Sequence, residues 1–295
     1  DVVLPPAAMG PVVALIGLEL SATAANNAGL IGDNIQMANV WVFLITLGVA
    51  IFGNICFRKF LSVIPILIAI ICGYIAAICF GLVDFTTVAN APLFAIPNFS
   101  TPKFDINAIL MILPVLLVIT SEHIGHQIVT GKIIGKNLLE DPGLHRSLFG
   151  DNFSTMISGF IGSVPTTTYG ENIGVMALSK VYSVYVIAGA AVIAVLMSFI
   201  GKLSALLHSI PTPVLGGLSI ALFGVIAASG LKILVEHKID FDNKKNLLIA
   251  SVILVSGIGG LMIDLGGLQI TGVATSTILG IVLYQILPEP KADEA

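Results

Sequence analysis

Long apolar runs separated by short polar segments dominate the chain: 6–25, 40–57, 61–80, 106–130, 148–164, 182–200, 213–231, 247–262 and 269–287. Most approach the ~20 residues that an α-helix needs to cross the hydrocarbon of a bilayer. One stretch between two of these runs behaves differently. Pro165-Thr166-Thr167-Thr168-Tyr169-Gly170 has extended or loop character, and 172–179 is long enough for only about two turns of helix. This is read as a further, broken crossing, the sixth of ten.

Basic residues test that count, because cytoplasmic loops carry the excess of Lys and Arg. Arg58 and Lys59 follow the second crossing; Lys132, Lys136 and Arg146 the fourth; Lys180 the sixth; Lys232, Lys238, Lys244 and Lys245 the eighth; Lys291 the tenth. Eleven of the 13 basic residues thus share one side, leaving Lys103 and Lys202. Without the broken crossing the later basic residues would fall opposite the earlier ones. The even-numbered ends, including the C-terminus, are therefore expected in the cytoplasm, and the loops at Asp33, Asp84, Asp105 and Asp264 outside. The tail 288–295 is expected to be disordered.

Composition fixes the class. With 56% hydrophobic and 10% charged residues and a mean hydropathy of +1.03, the expectation is an all-α polytopic membrane protein in a lipid bilayer. The 30 glycines suit closely packed helices in lipid. A net charge of −4 with scattered cations implies no nucleic-acid partner. Cys56, Cys72 and Cys79 lie in apolar runs without metal or redox spacing and are read as small core residues. The chain opens at Asp1 with neither an initiator Met nor a signal peptide, so it is expected to be cut at its start.

Ionisable groups inside apolar spans cost about 2.5–3.5 kcal/mol to insert, which makes each a functional candidate. Glu122, His123 and His126 lie in the fourth run, and Glu171 lies at the broken crossing. Glu122 and His126 are four apart, on one helix face, a spacing that suits a proton-holding pair. Glu171 follows Gly170 where extended backbone turns into helix, so free backbone N–H groups and the positive end of the helix dipole converge there. Interrupted helices at membrane depth mark transporter substrate sites. Two carboxylates that accept from ring N–H groups, with backbone donors beside them, would complement uracil, although another cyclic imide or xanthine would fit the same pattern. Glu19 is a further acid in an apolar run and has no basic neighbour in sequence; it is read as structural. Glu122-His123-Ile124-Gly125-His126 is not a zinc-protease motif, since its histidines are three apart and the acid precedes both. No metal and no organic cofactor are expected, nor an enzyme. His145, His208 and His237 fall in or beside loops and are read as solvated.

The segments Ser121-Glu122-His123-Ile124-Gly125-His126, Asp141-Pro142-Gly143-Leu144-His145-Arg146 and Thr168-Tyr169-Gly170-Glu171-Asn172-Ile173-Gly174-Val175-Met176-Ala177 resemble the nucleobase/ascorbate transporter family, in its uracil permease branch. Pro5-Pro6-Ala7-Ala8-Met9-Gly10 and Gly17-Leu18-Glu19-Leu20 look like that family's fifth transmembrane segment, and the resemblance runs to about Leu287. It implies part of a transporter with fourteen segments in two inverted repeats of seven, built as core and gate domains, with the first four segments missing from this chain. On that pattern 1–105 is gate (segments five to seven), 106–208 is core with the substrate site (eight to eleven) and 209–287 is gate (twelve to fourteen). The resemblance implies that Glu122, Tyr169, Gly170 and Glu171 bind the base and that His126 and Glu122 take part in proton coupling. It further implies import of uracil by proton symport across the cytoplasmic (inner) membrane, and a homodimer through the gate. At the broken helix Ser179 stands where the family has Thr, with Lys180 as the following base. Glu171 matches the uracil branch, whereas purine-transporting relatives tend to carry Gln there; a xanthine permease and an inactive fragment are the alternatives.

Overall fold

The computed structural model describes residues 5–31, 35–113, 115–264, 269–270 and 272–288. The expected outer loop at Asp33, the cation Lys291 and nearly all of the tail at 288–295 lie outside the described residues. Among the described residues three helices are long and apolar enough to cross a membrane, namely Pro6–Asn27 (taken as one span), Met37–Cys56 and Thr212–Glu236, and Pro65–Cys79, Val184–Ser198 and Gly272–Ile286 are shorter apolar helices. The chain is an all-α polytopic membrane protein. The described β-structure is a two-residue antiparallel pair, β1 (Ile263–Asp264) with β2 (Gln269–Ile270), and one isolated bridge.

Two compact units emerge. The first comprises 1–22, 103–123 and 222–295, the second 23–102 and 124–221. In the first unit, α1 (Pro6–Glu19) begins with proline at its first helical turn, where the missing N–H costs nothing. Ala8, Val12 and Leu15 lie on one face of α1 and pack against Ile249 and Ile253 of α13 (Lys244–Ile258). Val273, Leu283 and Tyr284 of α14 (Gly272–Ile286) close the cluster. Gly10 and Gly17 bring α1 against the second half of α12 (Thr212–Glu236). A side chain at Gly10 would meet Gly230 O and Leu234, and one at Gly17 would meet Phe223 O and Ala227. This is the small-residue packing that helices use in lipid, where no hydrophobic force drives them together.

The second unit is built on α3 (Met37–Cys56) and α4 (Pro65–Cys79), with the first half of α12 packed across them. Val42, Ala77 and Val214 form one buried cluster, and Ala50, Ala69 and Leu218 a second. Gly73 lies against Thr46 and Val214.

The apolar run expected at 106–130 is divided into α6 (Ile106–Ile112) and α7 (Val115–Ile134). Leu113, which follows α6, keeps helical backbone (φ −52°, ψ −41°), and Pro114, which has no N–H to donate, stands between the two helices in the sequence. Asp105, expected in a loop, caps α6 by accepting from the N–H groups of Asn107 and Ala108. The run expected at 148–164 is α8 (Leu144–Phe160). After α8 the helix stops, and 163–169 runs without regular structure into α9 (Gly170–Ser179), followed by α10 (Val184–Ser198).

Candidate functional site

Extended backbone at membrane depth leaves N–H and C=O groups that lipid cannot satisfy. Hydroxyls of α8 meet part of that need. Ser158 Oγ donates to Val164 O, Thr155 Oγ1 donates to Thr166 O at 2.7 Å, and Thr166 Oγ1 donates to Ser154 Oγ at 2.9 Å. The segment is thereby fastened to α8 up to the point where it delivers Thr168, Tyr169 and Gly170 to the start of α9.

Alternation along this extended stretch sets what faces α7. Tyr169 has φ −107° and ψ 122°, so Thr168 and Gly170 point to the same side. That side is His126. Its Nδ1 is 2.7 Å from Thr168 Oγ1, and a Cβ placed on Gly170 would lie 3.2 Å from Nε2. The imidazole is thus held at one nitrogen by a hydroxyl and overlaid at the other by the helix start. Tyr169, between them, is 62% exposed.

A cavity of about 560 Å³ opens beside this arrangement. Its polar wall is made by His126, Gln127, Thr130, Thr168 and Asn172, and Ile187 of α10 contributes to the apolar side. A pocket of this size admits a small planar heterocycle with room to spare. The N-terminus of α9 borders it, so the first turn supplies backbone N–H donors and a partial positive charge to an oxygen placed there.

The sequence-derived candidates fall as follows. Glu122 lies on α7 one turn before His126, and His123, next to it, is buried at 2% exposure. Gly170 and Glu171 are the first two residues of α9, and the side chain of Glu171 lies outside the described residues. Glu19, for which no basic partner was visible, places its carboxylate where a Cβ of Gly272 would stand, at the start of α14. The carboxylate thus lies at the positive end of a helix. His208 and His237 are exposed and bond carbonyls of their own helices, Ser204 O and Ile233 O. Thr168, Asn172 and the hydroxyls of α8 were missed. Among the described residues no group of three or more His, Cys, Asp or Glu could hold a metal ion.

A permease family model, Xan_ur_permease, matches residues 1–266. The chain belongs to that permease family. It is 50% identical over 289 residues to the uracil permease of Escherichia coli (strain K12), covering 97% of this chain and 67% of that protein. The uracil permease of Paenibacillus larvae is 51% identical over 289 residues, with 96% of this chain and 69% of the relative covered. That of Bacillus subtilis is 46% identical over 306 residues, with 99% and 70% covered. The permease chain thus spans about two thirds of the length of these relatives. It is a transporter polypeptide and not an enzyme.

Proposed function

We propose that this permease imports uracil across the cytoplasmic membrane by proton symport, with the base bound at the start of α9. The carrying observation is the interrupted helix itself: an extended segment, α9 and His126 meet at one cavity of about 560 Å³. Identities of 46–51% to proteins named uracil permeases support uracil as the base. Glu122 and Glu171 accept from the ring N–H groups, Gly170 backbone donates to a carbonyl oxygen, and Tyr169 flanks the ring. Glu122 and His126 exchange the coupled proton. Protonation removes charge from the loaded site, and the core, 106–208, moves against the gate, 1–105 and 209–287, to expose the site alternately to each side. The gate carries the dimer contact, and the C-terminus is cytoplasmic.

The test is uptake of labelled uracil by cells that lack their own permease and express the complete parent protein, at several external pH values. Saturable uptake that rises as pH falls, disappears in Glu171→Gln and ignores excess xanthine is the expected result. Absence of uracil uptake despite normal membrane expression refutes the reading, and strong competition by xanthine moves the assignment to purines.

A further inference from the structure

His126 is bonded across chain elements to the segment that leads into the broken helix, and its partner there is a hydroxyl, Thr168 Oγ1, at 2.7 Å. The choice of group matters. A carboxylate can only accept from Nδ1 and an ammonium can only donate to it, whereas a hydroxyl does either. When the ring is neutral with its proton on Nε2, Thr168 donates to the Nδ1 lone pair. When the ring is charged, both nitrogens carry protons and Thr168 accepts from Nδ1–H. The same contact therefore survives both protonation states with only a rotation of the hydroxyl.

Geometry limits the alternatives for the ring. Gly170 overlies the opposite nitrogen, with a Cβ position only 3.2 Å from Nε2. Thr168 and Gly170 are two residues apart on extended backbone, so they reach His126 as one unit. The segment that carries them is in turn fastened to α8 through Val164 O and Thr166. Other titratable groups on the elements around the ring are Glu122 and His123 on α7, Tyr169 and Glu171 at the start of α9, Lys180 at its C-terminal end, and Lys59 on the 3-10 turn packed against α9. The extended segment reaches the His126 ring through Thr168.

We infer that Thr168 is a positioning residue: its hydroxyl holds the His126 ring in one orientation through both protonation states and so ties the proton-bearing group to the start of α9. This rests on the proton-symport reading above. Three forms of the complete parent protein decide it: wild type, Thr168→Val, which keeps the shape and loses the hydroxyl, and Thr168→Ser, which keeps the hydroxyl. Two quantities are read: the external pH of half-maximal uracil uptake, and the ¹⁵N resonances of the His126 ring in the purified protein.

The bond to the charged ring is charge-assisted and so the stronger of the two, and in Thr168→Val the pH of half-maximal uptake is expected to move down by about one unit, with altered His126 ring resonances at unchanged expression. Thr168→Ser is expected to restore both. A Val variant with a wild-type pH profile and wild-type ring resonances overturns the inference. Equal failure of Val and Ser also overturns it, since packing and not the hydroxyl would then be responsible. Should the wild type prove pH-independent or inactive toward uracil, the symport reading falls by itself, and the ring resonances still decide whether Thr168 sets the state of His126.

Discussion

Replacing Gly170 by alanine adds one methyl group beside the His126 ring. Gly170 has no positive φ, so alanine meets no backbone strain there, and as a helix former it is the better residue. Helix propensity alone therefore predicts a neutral or slightly stabilising change. The site predicts the opposite. The new Cβ would lie 3.2 Å from His126 Nε2, inside the optimum of roughly 3.5–4.0 Å for nonbonded contact. The ring must give by a few tenths of an ångström, and it cannot do so freely while Nδ1 is bonded at 2.7 Å to Thr168. Overpacking of this kind costs about 1–3 kcal/mol, which corresponds to roughly a 5- to 150-fold fall in kcat/KM for uptake. Uptake kinetics of Gly170→Ala, normalised to surface expression, measure it. A double-mutant cycle with Thr168→Val adds a sharper check. Once the hydroxyl anchor is gone the ring can yield, so the two losses are expected to be less than additive. Wild-type kinetics in Gly170→Ala, or strictly additive losses, would refute the reasoning.

Other perturbations probe the scaffold. In Gly230→Ala the added Cβ would run into Ala14 backbone and Gly10 O, neither of which can move aside, and a loss of more than about 3 kcal/mol is expected; fluorescence-detected size exclusion should show little folded protein. Glu19→Ala removes a carboxylate from the start of α14, a contribution of about 1 kcal/mol, and should lower the melting temperature in detergent by a few degrees, with Glu19→Asp recovering part of the loss. At Asp84, in the loop after α4, the Thr86 backbone N–H and then its hydroxyl hold the carboxyl below the usual range. A depressed carboxyl favours the folded loop at pH values above its unfolded pKa, and the benefit fades as pH falls through the folded value. The protection factor of the Thr86 amide, corrected for the intrinsic pH dependence of exchange, should therefore fall in acid, and Asp84→Asn should remove that pH dependence.

Much of the span pattern was legible because lipid imposes one requirement on every crossing, a long apolar helix. Residues 40–57 became Met37–Cys56 and 213–231 became part of Thr212–Glu236. The broken crossing was legible for the same reason in reverse, since three threonines after a proline could not continue a helix. What the sequence concealed were interruptions with local causes and pairings between distant residues. The run at 106–130 was read as one crossing, although it holds α6 and α7. Glu19 invited a search for a cation, and helix ends, which serve as well, carry no residue label. His126 pointed by helical spacing to Glu122. Its contact with Thr168, 42 positions away, needed the period of an extended strand to be applied to residues 166–170, where Thr168 and Gly170 share a face.

Ser154, Thr155 and Ser158 occupy one face of α8 and touch the extended segment without lining the cavity. Anyone seeking to retune selectivity would be drawn to cavity-facing positions such as Asn172 or Gln127. The hydroxyl row decides how far such changes can go, because it fixes the height at which Thr168, Tyr169 and Gly170 are presented. A library that varies the cavity alone samples new walls around an unmoved floor. Exchanging Ser and Thr along α8 would raise or lower that floor in small steps, a route to altered cavity size that leaves every residue of the cavity wall in place.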